Sequence, residues 1–335
     1  ILTKQTAYIC SLPFCIWLCA YILKSNPKHF KHILLMPLII LILNLGHFMR
    51  TYKTFGSPIN SDNLSVRNEI INLQSVSSNI IRNISLNMTV PSHKINKITR
   101  DIVEITHSLL KIDIEDKRTT FSVSPKTDSS SSGIAKYYVY FSLKENLASN
   151  TLHFLILILC FAFFLLKKKF YQRKTLYYLI SIIACFMFFS AVLKWQPFGN
   201  RLLLPFFILS SPFIGLVLAR FENKFFLITV PLILFLYSLP YLLMNDTRPL
   251  ISKVVKEKNY DVSFVKPYFK VKNRQELYSV SLGKPKYDEP IIQLSKFIKE
   301  IGCKSVGFIS FFNSYEYLFW VFLKEDSLSK TKIYY

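Results

Sequence analysis

The sequence predicts a mainly α protein: a polytopic membrane helix bundle of about six helices, a helical extracytoplasmic loop segment and a small C-terminal α/β domain. Three observations predict it. The chain is 51% hydrophobic and 16% aromatic, which excludes intrinsic disorder. Six apolar stretches, 6–23, 33–49, 152–166, 176–193, 202–219 and 224–243, hold no Asp or Glu. Most approach the ~17–25 residues that cross a bilayer as helix, and the short 152–166 stretch is expected to start earlier. The third observation is where the charge sits. The net charge of +22 would point to nucleic acid on a soluble chain. Outside the polar segments 50–150 and 245–335, however, there remain 13 basic residues and a single acid, Glu222. That pattern belongs to membrane topology, so the bilayer is the expected partner and nucleic acid is not.

Residues 1–49 predict two transmembrane helices and 151–243 predict four. The links 24–32 (Lys24, Lys28, Lys31), 167–175 (Lys167, Lys168, Lys169, Arg173, Lys174) and 220–224 (Arg220, Lys224) fall on one side if the helices alternate. Basic links face the cytoplasm, so the two long segments and the link 194–201 are expected outside a bacterial inner or plasma membrane. Ile1 then enters the first helix from outside, and the residues before the apolar run, with only Lys4, do not read as the basic region of a signal peptide. An odd number of helices is therefore expected upstream of Ile1.

The segment 50–150 carries two helical patterns. Ile70, Leu73, Ser77, Ile80 and Ile84 recur at helical spacing, with Ile71 and Ile81 alongside. After Pro91 and a Ser92 cap come Ile95, Ile98, Ile102, Ile105 and Leu109. Both read as amphipathic helices resting on the membrane surface or on the bundle. The run from Asp128 to Gly133 predicts a flexible, lid-like loop. The last domain, 244–335, predicts a helix at 290–302, a strand at 306–309, a helix at 315–323 and a strand from 332. Five of six cysteines lie in apolar helices and only Cys303 lies outside, so no structural disulfide is expected. The sequons at Asn83 and Asn87 are of a kind frequent by chance in an Asn/Ser-rich chain.

Two outer stretches hold the chemistry-bearing residues. Lys194-Trp-Gln-Pro-Phe-Gly-Asn-Arg201 joins two membrane helices. Lys194 and Arg201 are the cation types that bind a lipid-linked phosphate, Trp195 can stack on a sugar, and Gln196 adds an amide. The bland alternative is snorkelling anchors at a helix end. Glu145-Asn-Leu-Ala-Ser-Asn150-Thr-Leu-His153 leads into the third apolar helix. Glu145, Asn150 and His153 can converge on a polar substrate, and the carboxylate and imidazole suit acid/base work. A His at a helix start is more often a simple hydrogen-bonding residue. No zinc-type spacing, phosphate loop or nucleophile elbow occurs. No cofactor is predicted, and a divalent metal stays open.

Three stretches together resemble the C-type superfamily of integral-membrane glycosyltransferases, near the protein mannosyltransferase and aminoarabinose transferase branch. They are Glu145 to Phe154, Lys194 to Pro205, and Gly302-Cys-Lys-Ser-Val-Gly-Phe-Ile309 with Tyr315 to Trp320. The resemblance covers the latter half of such a protein. It implies transfer of a sugar from a polyprenyl-phosphate donor to a glycan, lipid or protein acceptor on the outer face. It also implies a catalytic acid in a first external loop, upstream of Ile1, so no catalytic residue is assigned within this chain. A transporter is the main rival, but ion paths use acidic or basic groups inside the membrane, and these helices hold no acid. Another lipid-linked glycan-processing protein, or an inactive fragment lacking the N-terminal catalytic loop, are the further alternatives.

Overall fold

The computed structural model describes residues 6–25, 28, 30–58, 66–121, 137–221, 224–245, 249–251, 253–255, 263–265, 267–270, 289–307, 319, 321–323 and 332–334. The fold is mainly helical, and among the described residues strands occur only within 253–334. The expected loop at Asp128–Gly133 and most of the 315–323 helix lie outside the described residues. The chain forms two compact units, one of residues 1–142 and 146–235, the other of 143–145 and 236–335.

The apolar stretches are helices: α1 (Thr6–Ser25), α2 (Phe30–Phe55), α5 (Thr151–Leu166), α6 (Arg173–Val192), α8 (Leu204–Leu218) and α9 (Lys224–Leu243). Helices α3 (Leu73–Leu86) and α4 (His93–Leu109) lie between α2 and α5, and the single turn α7 (Gly199–Leu202) leads into α8. Thr6–Ser25, Arg173–Val192 and Phe225–Leu243 are long and apolar enough to cross a membrane, which makes this a membrane protein. α5 starts one residue before its apolar run, in the direction that its short length had implied. It begins at Thr151, because the Thr151 hydroxyl donates to the Thr89 carbonyl at 2.6 Å and pins the helix start there. α2 runs on to Phe55, so the segment taken from residue 50 opens inside a helix.

The core of the first unit is built where α1, α5, α6 and α8 meet. Phe14 and Trp17 of α1 set their rings edge-on against Tyr178 of α6, with centroids 5.1 and 5.6 Å away. Phe164 of α5 meets Phe213 of α8 in the same geometry, and Leu179, Ile182, Cys185 and Phe189 of α6 fill the centre. Edge-on ring pairs add attraction beyond burial, which matters between helices in lipid, where apolar burial alone does not drive association.

α3 and α4 fold inside out. α3 begins with a capping box, in which Asn72 Oδ1 accepts from Ser75 N at 2.8 Å and Ser75 Oγ accepts from Asn72 N at 3.0 Å. Its buried face then consists of Ser75, Ser78, Asn79, Arg82, Asn83, Ser85 and Leu86. α4 buries Asn96, Val103 and His107 and turns its isoleucines outward. Ser92 occupies the cap position of α4, but its side chain makes no cap bond. Asn96 instead folds back, accepting from Val90 N at 2.9 Å and donating to Val90 O at 2.8 Å. Asn83 and Asn87 are buried, so neither sequon side chain is open to a glycosylating enzyme.

His107 joins the two helices. Its Nδ1 lies 2.8 Å from Val103 O and its Nε2 lies 2.9 Å from Ser78 Oγ. A carbonyl only accepts, so Nδ1 carries the proton and Nε2 accepts from the Ser78 hydroxyl. Burial, together with the Arg82 charge, holds the His107 pKa below its ordinary value of 6.5. The unfolded chain therefore takes up the proton first as pH falls, and native stability should drop from near pH 6.5 downward. Thermal unfolding between pH 7.5 and about 5 should show this loss, and His107→Gln should flatten it.

The second unit contains an antiparallel pair, β1 (Lys253–Val255) with β2 (Ser263–Val265). It also contains α10 (Glu289–Ile301) and a parallel pair, β3 (Ser305–Gly307) with β4 (Lys332–Tyr334). Ile298, Phe319 and Leu323 form its small core, with Ile291, Cys303 and Val306 packed against them. Helix, strand and returning strand follow the order the sequence predicts. The parallel pairing is what a crossover through the intervening segment requires.

Candidate functional site

The link after α6 does more than join two helices. Its backbone threads between two other segments. Asn68 N donates to Val192 O and Lys194 N to Val66 O, both at 2.9 Å. On the other edge, Trp195 N donates to Thr119 O at 2.8 Å and Phe121 N to Trp195 O at 2.9 Å. The carbonyls at the end of α6 are capped by side-chain amides. Asn68 Nδ2 donates to Ser190 O and Ala191 O, and Asn79 Nδ2 to Ser190 O and Leu193 O, within 2.8–3.2 Å. The last four carbonyls of a helix have no partner within it, and these two asparagines supply partners at the end of a membrane helix.

This threading settles where the predicted residues lie. Lys194 is 5% exposed, and its Nζ donates to Glu69 Oε1 at 2.6 Å and to Lys117 O at 2.9 Å. Its charge is thus met within the protein. Trp195 is 1% exposed, and its ring packs against Tyr137 and beneath the Arg82 guanidinium, 5.2 Å from the ring centroid. Gln196 is buried, whereas Arg201 is exposed and lies 5.6 Å over the Phe198 ring. Asn150 caps α5 in position but makes no side-chain cap bond. His153, one turn on, is half-buried against Phe207, and its Nδ1 finds no partner among the described residues. Glu145 is exposed and belongs to the second unit.

Arg82, which the sequence did not single out, holds the centre of this layer. It is fully buried. Its Nη1 donates to Ile114 O at 2.6 Å and Thr120 Oγ1 at 2.8 Å, and its Nη2 to Asn79 Oδ1 at 2.6 Å. Burial lowers its pKa to about 10, partly countered by Tyr137, Asp113, Asp116 and Glu115, so it stays charged at neutral pH. The signal that could have found it is the polar stripe Ser75, Ser78, Asn79, Arg82, at helical spacing with a single charge.

Beside this layer is a small cavity of about 10 Å³, lined by Leu86, Thr89, Tyr138, Tyr140, Leu147, Pro197 and Asn200. That is room for roughly one water. Asn200 Nδ2 donates to Leu86 O at 3.0 Å, and among the described residues neither Asn200 Oδ1 nor Thr89 Oγ1 has a partner. Two buried polar atoms without partners next to a cavity invite hydroxyl groups. Burial pushes the Tyr140 phenol up to about 12, so at neutral pH it stays a hydrogen-bond donor. Gly199 lets α7 approach α3 here, since a Cβ would sit 3.3 Å from Leu86 Cδ1. Arg201 follows Asn200 directly in the chain.

A second, apolar groove of about 660 Å³ runs along α1 and α6. On α6 its lining extends from Tyr177 to Ala191, roughly 21 Å of helix, and Val76 of α3 closes one side. No group of three or more His, Cys, Asp or Glu arranged to hold a metal occurs among the described residues.

Fold and site together define a helical membrane protein with a polar, buried layer packed on the end of a spanning helix. No family model, curated protein or solved structure matches the chain.

Proposed function

We propose that the protein is a membrane glycosyltransferase that moves a sugar from a polyprenyl-phosphate donor to an acceptor on the outer face of the membrane. One observation carries the reading most: exposed Arg201 follows Asn200, which lines a polar cavity with Thr89, Tyr138 and Tyr140. A guanidinium is the side chain suited to phosphate, and the cavity lined by Asn200, with room for roughly one water, suits a single sugar hydroxyl. The groove along α1 and α6 has the length and lining for an isoprenoid tail. Lys194, expected from sequence to share the phosphate, is assigned here to the scaffold, because Glu69 meets its charge. Arg201 then carries the donor phosphate and steadies the charge on the leaving group. The catalytic acid implied by the resemblance is not assigned to any residue of this chain. The expected topology of six alternating helices, with both long segments and Arg201 outside, is part of the proposal.

The test is a vesicle assay with polyprenyl-phosphate-linked hexoses and pentoses in the bilayer and the free sugars in solution. Transfer to an acceptor without sugar uptake is the expected result. Uptake without transfer would replace the enzyme by a carrier.

A further inference from the structure

α4 carries an apolar stripe that none of the described residues of the first unit covers. Ile95, Ile98, Ile102, Ile105 and Leu109 are 51, 58, 58, 59 and 78% exposed. At 3.6 residues per turn these five side chains fall within an arc of about 80° and run along roughly 21 Å of helix. The buried face on the other side holds Asn96 and His107. An amphipathic helix on a soluble domain turns its polar residues to water and its apolar residues inward. α4 instead leaves its apolar stripe exposed, alongside Lys94, Lys97 and Glu104, and buries Asn96 and His107.

We infer that the α4 stripe rests in the lipid leaflet, as an in-plane helix at the membrane boundary. Three features favour lipid over a protein partner. First, α4 is held at the depth of a spanning helix's end. His107 bonds Ser78 of α3, and Asn79 and Asn83 of α3 bond the backbone and hydroxyl of Ser190 near the end of α6. Second, the stripe is purely aliphatic and lacks the aromatic anchors that mark protein interfaces. Third, Arg100 pairs with Asp101 and Glu104, while Lys94, Lys97 and Lys111 make no ion pair among the described residues. Lysines beside an aliphatic stripe match anionic head groups, with the stripe set ~5–10 Å into the boundary. The same placement explains why α3 and α4 bury polar side chains: the pair has apolar surroundings on its outer face and builds its hydrogen bonds inward. This inference stands apart from the glycosyl-transfer reading, and neither needs the other.

The test reads depth on the chain reconstituted in vesicles of phosphatidylcholine and phosphatidylglycerol. Cys15, Cys19 and Cys303, which are not buried, are first replaced by serine. A fluorophore is then attached in turn at Ile98→Cys, Ile102→Cys and Ser108→Cys. Ser108 is exposed about 120° away around the helix from Ile102. The expected result is strong quenching at Ile98 and Ile102 by lipids spin-labelled on the acyl chain and little by aqueous iodide, with the order reversed at Ser108. Strong iodide quenching at all three positions would overturn the inference, because the stripe would face water. Protection from both quenchers at Ile98 and Ile102 would also overturn it, because a protein surface would then cover the stripe. All three positions are exposed, so the labelled variants retain the packing of the fold.

Discussion

Arg82→Ala is expected to cost about 3–5 kcal/mol, enough to unfold the layer formed by α3, α4 and the link after α6. The guanidinium is fully buried and donates to three acceptors within 2.8 Å. Removing it leaves Ile114 O, Thr120 Oγ1 and Asn79 Oδ1 without a donor in a space from which water is excluded. It also opens a cavity over Trp195 and loses the cation on its ring face. Arg82→Lys keeps the charge, but a single ammonium does not span the fork that reaches Ile114 and Asn79, so a smaller loss is expected. Limited proteolysis in detergent micelles, followed by temperature ramps, measures both. Proteolytic resistance of Arg82→Ala equal to the parent would show that the layer does not depend on this residue.

Arg201→Ala is expected to lower sugar transfer about 100-fold or more while leaving stability within about 0.5 kcal/mol. Arg201 is exposed, and its guanidinium lies over the Phe198 ring. Lys194→Met is the comparison that gives the result meaning. Lys194 is 5% exposed and bonded to Glu69 and Lys117 O, so its loss should cost about 2 kcal/mol, discounted because Glu69 is half in water. Its transfer rate per folded molecule should stay near the parent's. The two variants thus separate a phosphate-binding cation from a structural one, using transfer rate and melting temperature together. Unchanged transfer in Arg201→Ala would remove Arg201 from the site.

The membrane helices were legible because a continuous apolar run is a local property. The runs at 176–193 and 224–243 became Arg173–Val192 and Lys224–Leu243 with shifts of a few residues. The isoleucine period of α4 was equally legible, yet the direction of the stripe was not. Periodicity shows that one face is apolar, and it is silent on whether protein or lipid lies against that face. The role of Lys194 was hidden for a different reason. Its partners Glu69 and Lys117 lie 125 and 77 residues away, so the pairing exists only in three dimensions.

The sequence by itself determined a helical membrane protein, through apolar runs free of acids and basic residues gathered in short links. It also marked the link from Lys194 to Arg201 as unusual. Only the tertiary structure decided which of those two cations is spent inside the protein and which faces out. It also decided that Arg82 sits at the centre of a buried polar layer. The physical reason is that the fate of a charge depends on what is within a few ångströms of it. In this chain those neighbours come from distant segments brought together at the end of one membrane helix.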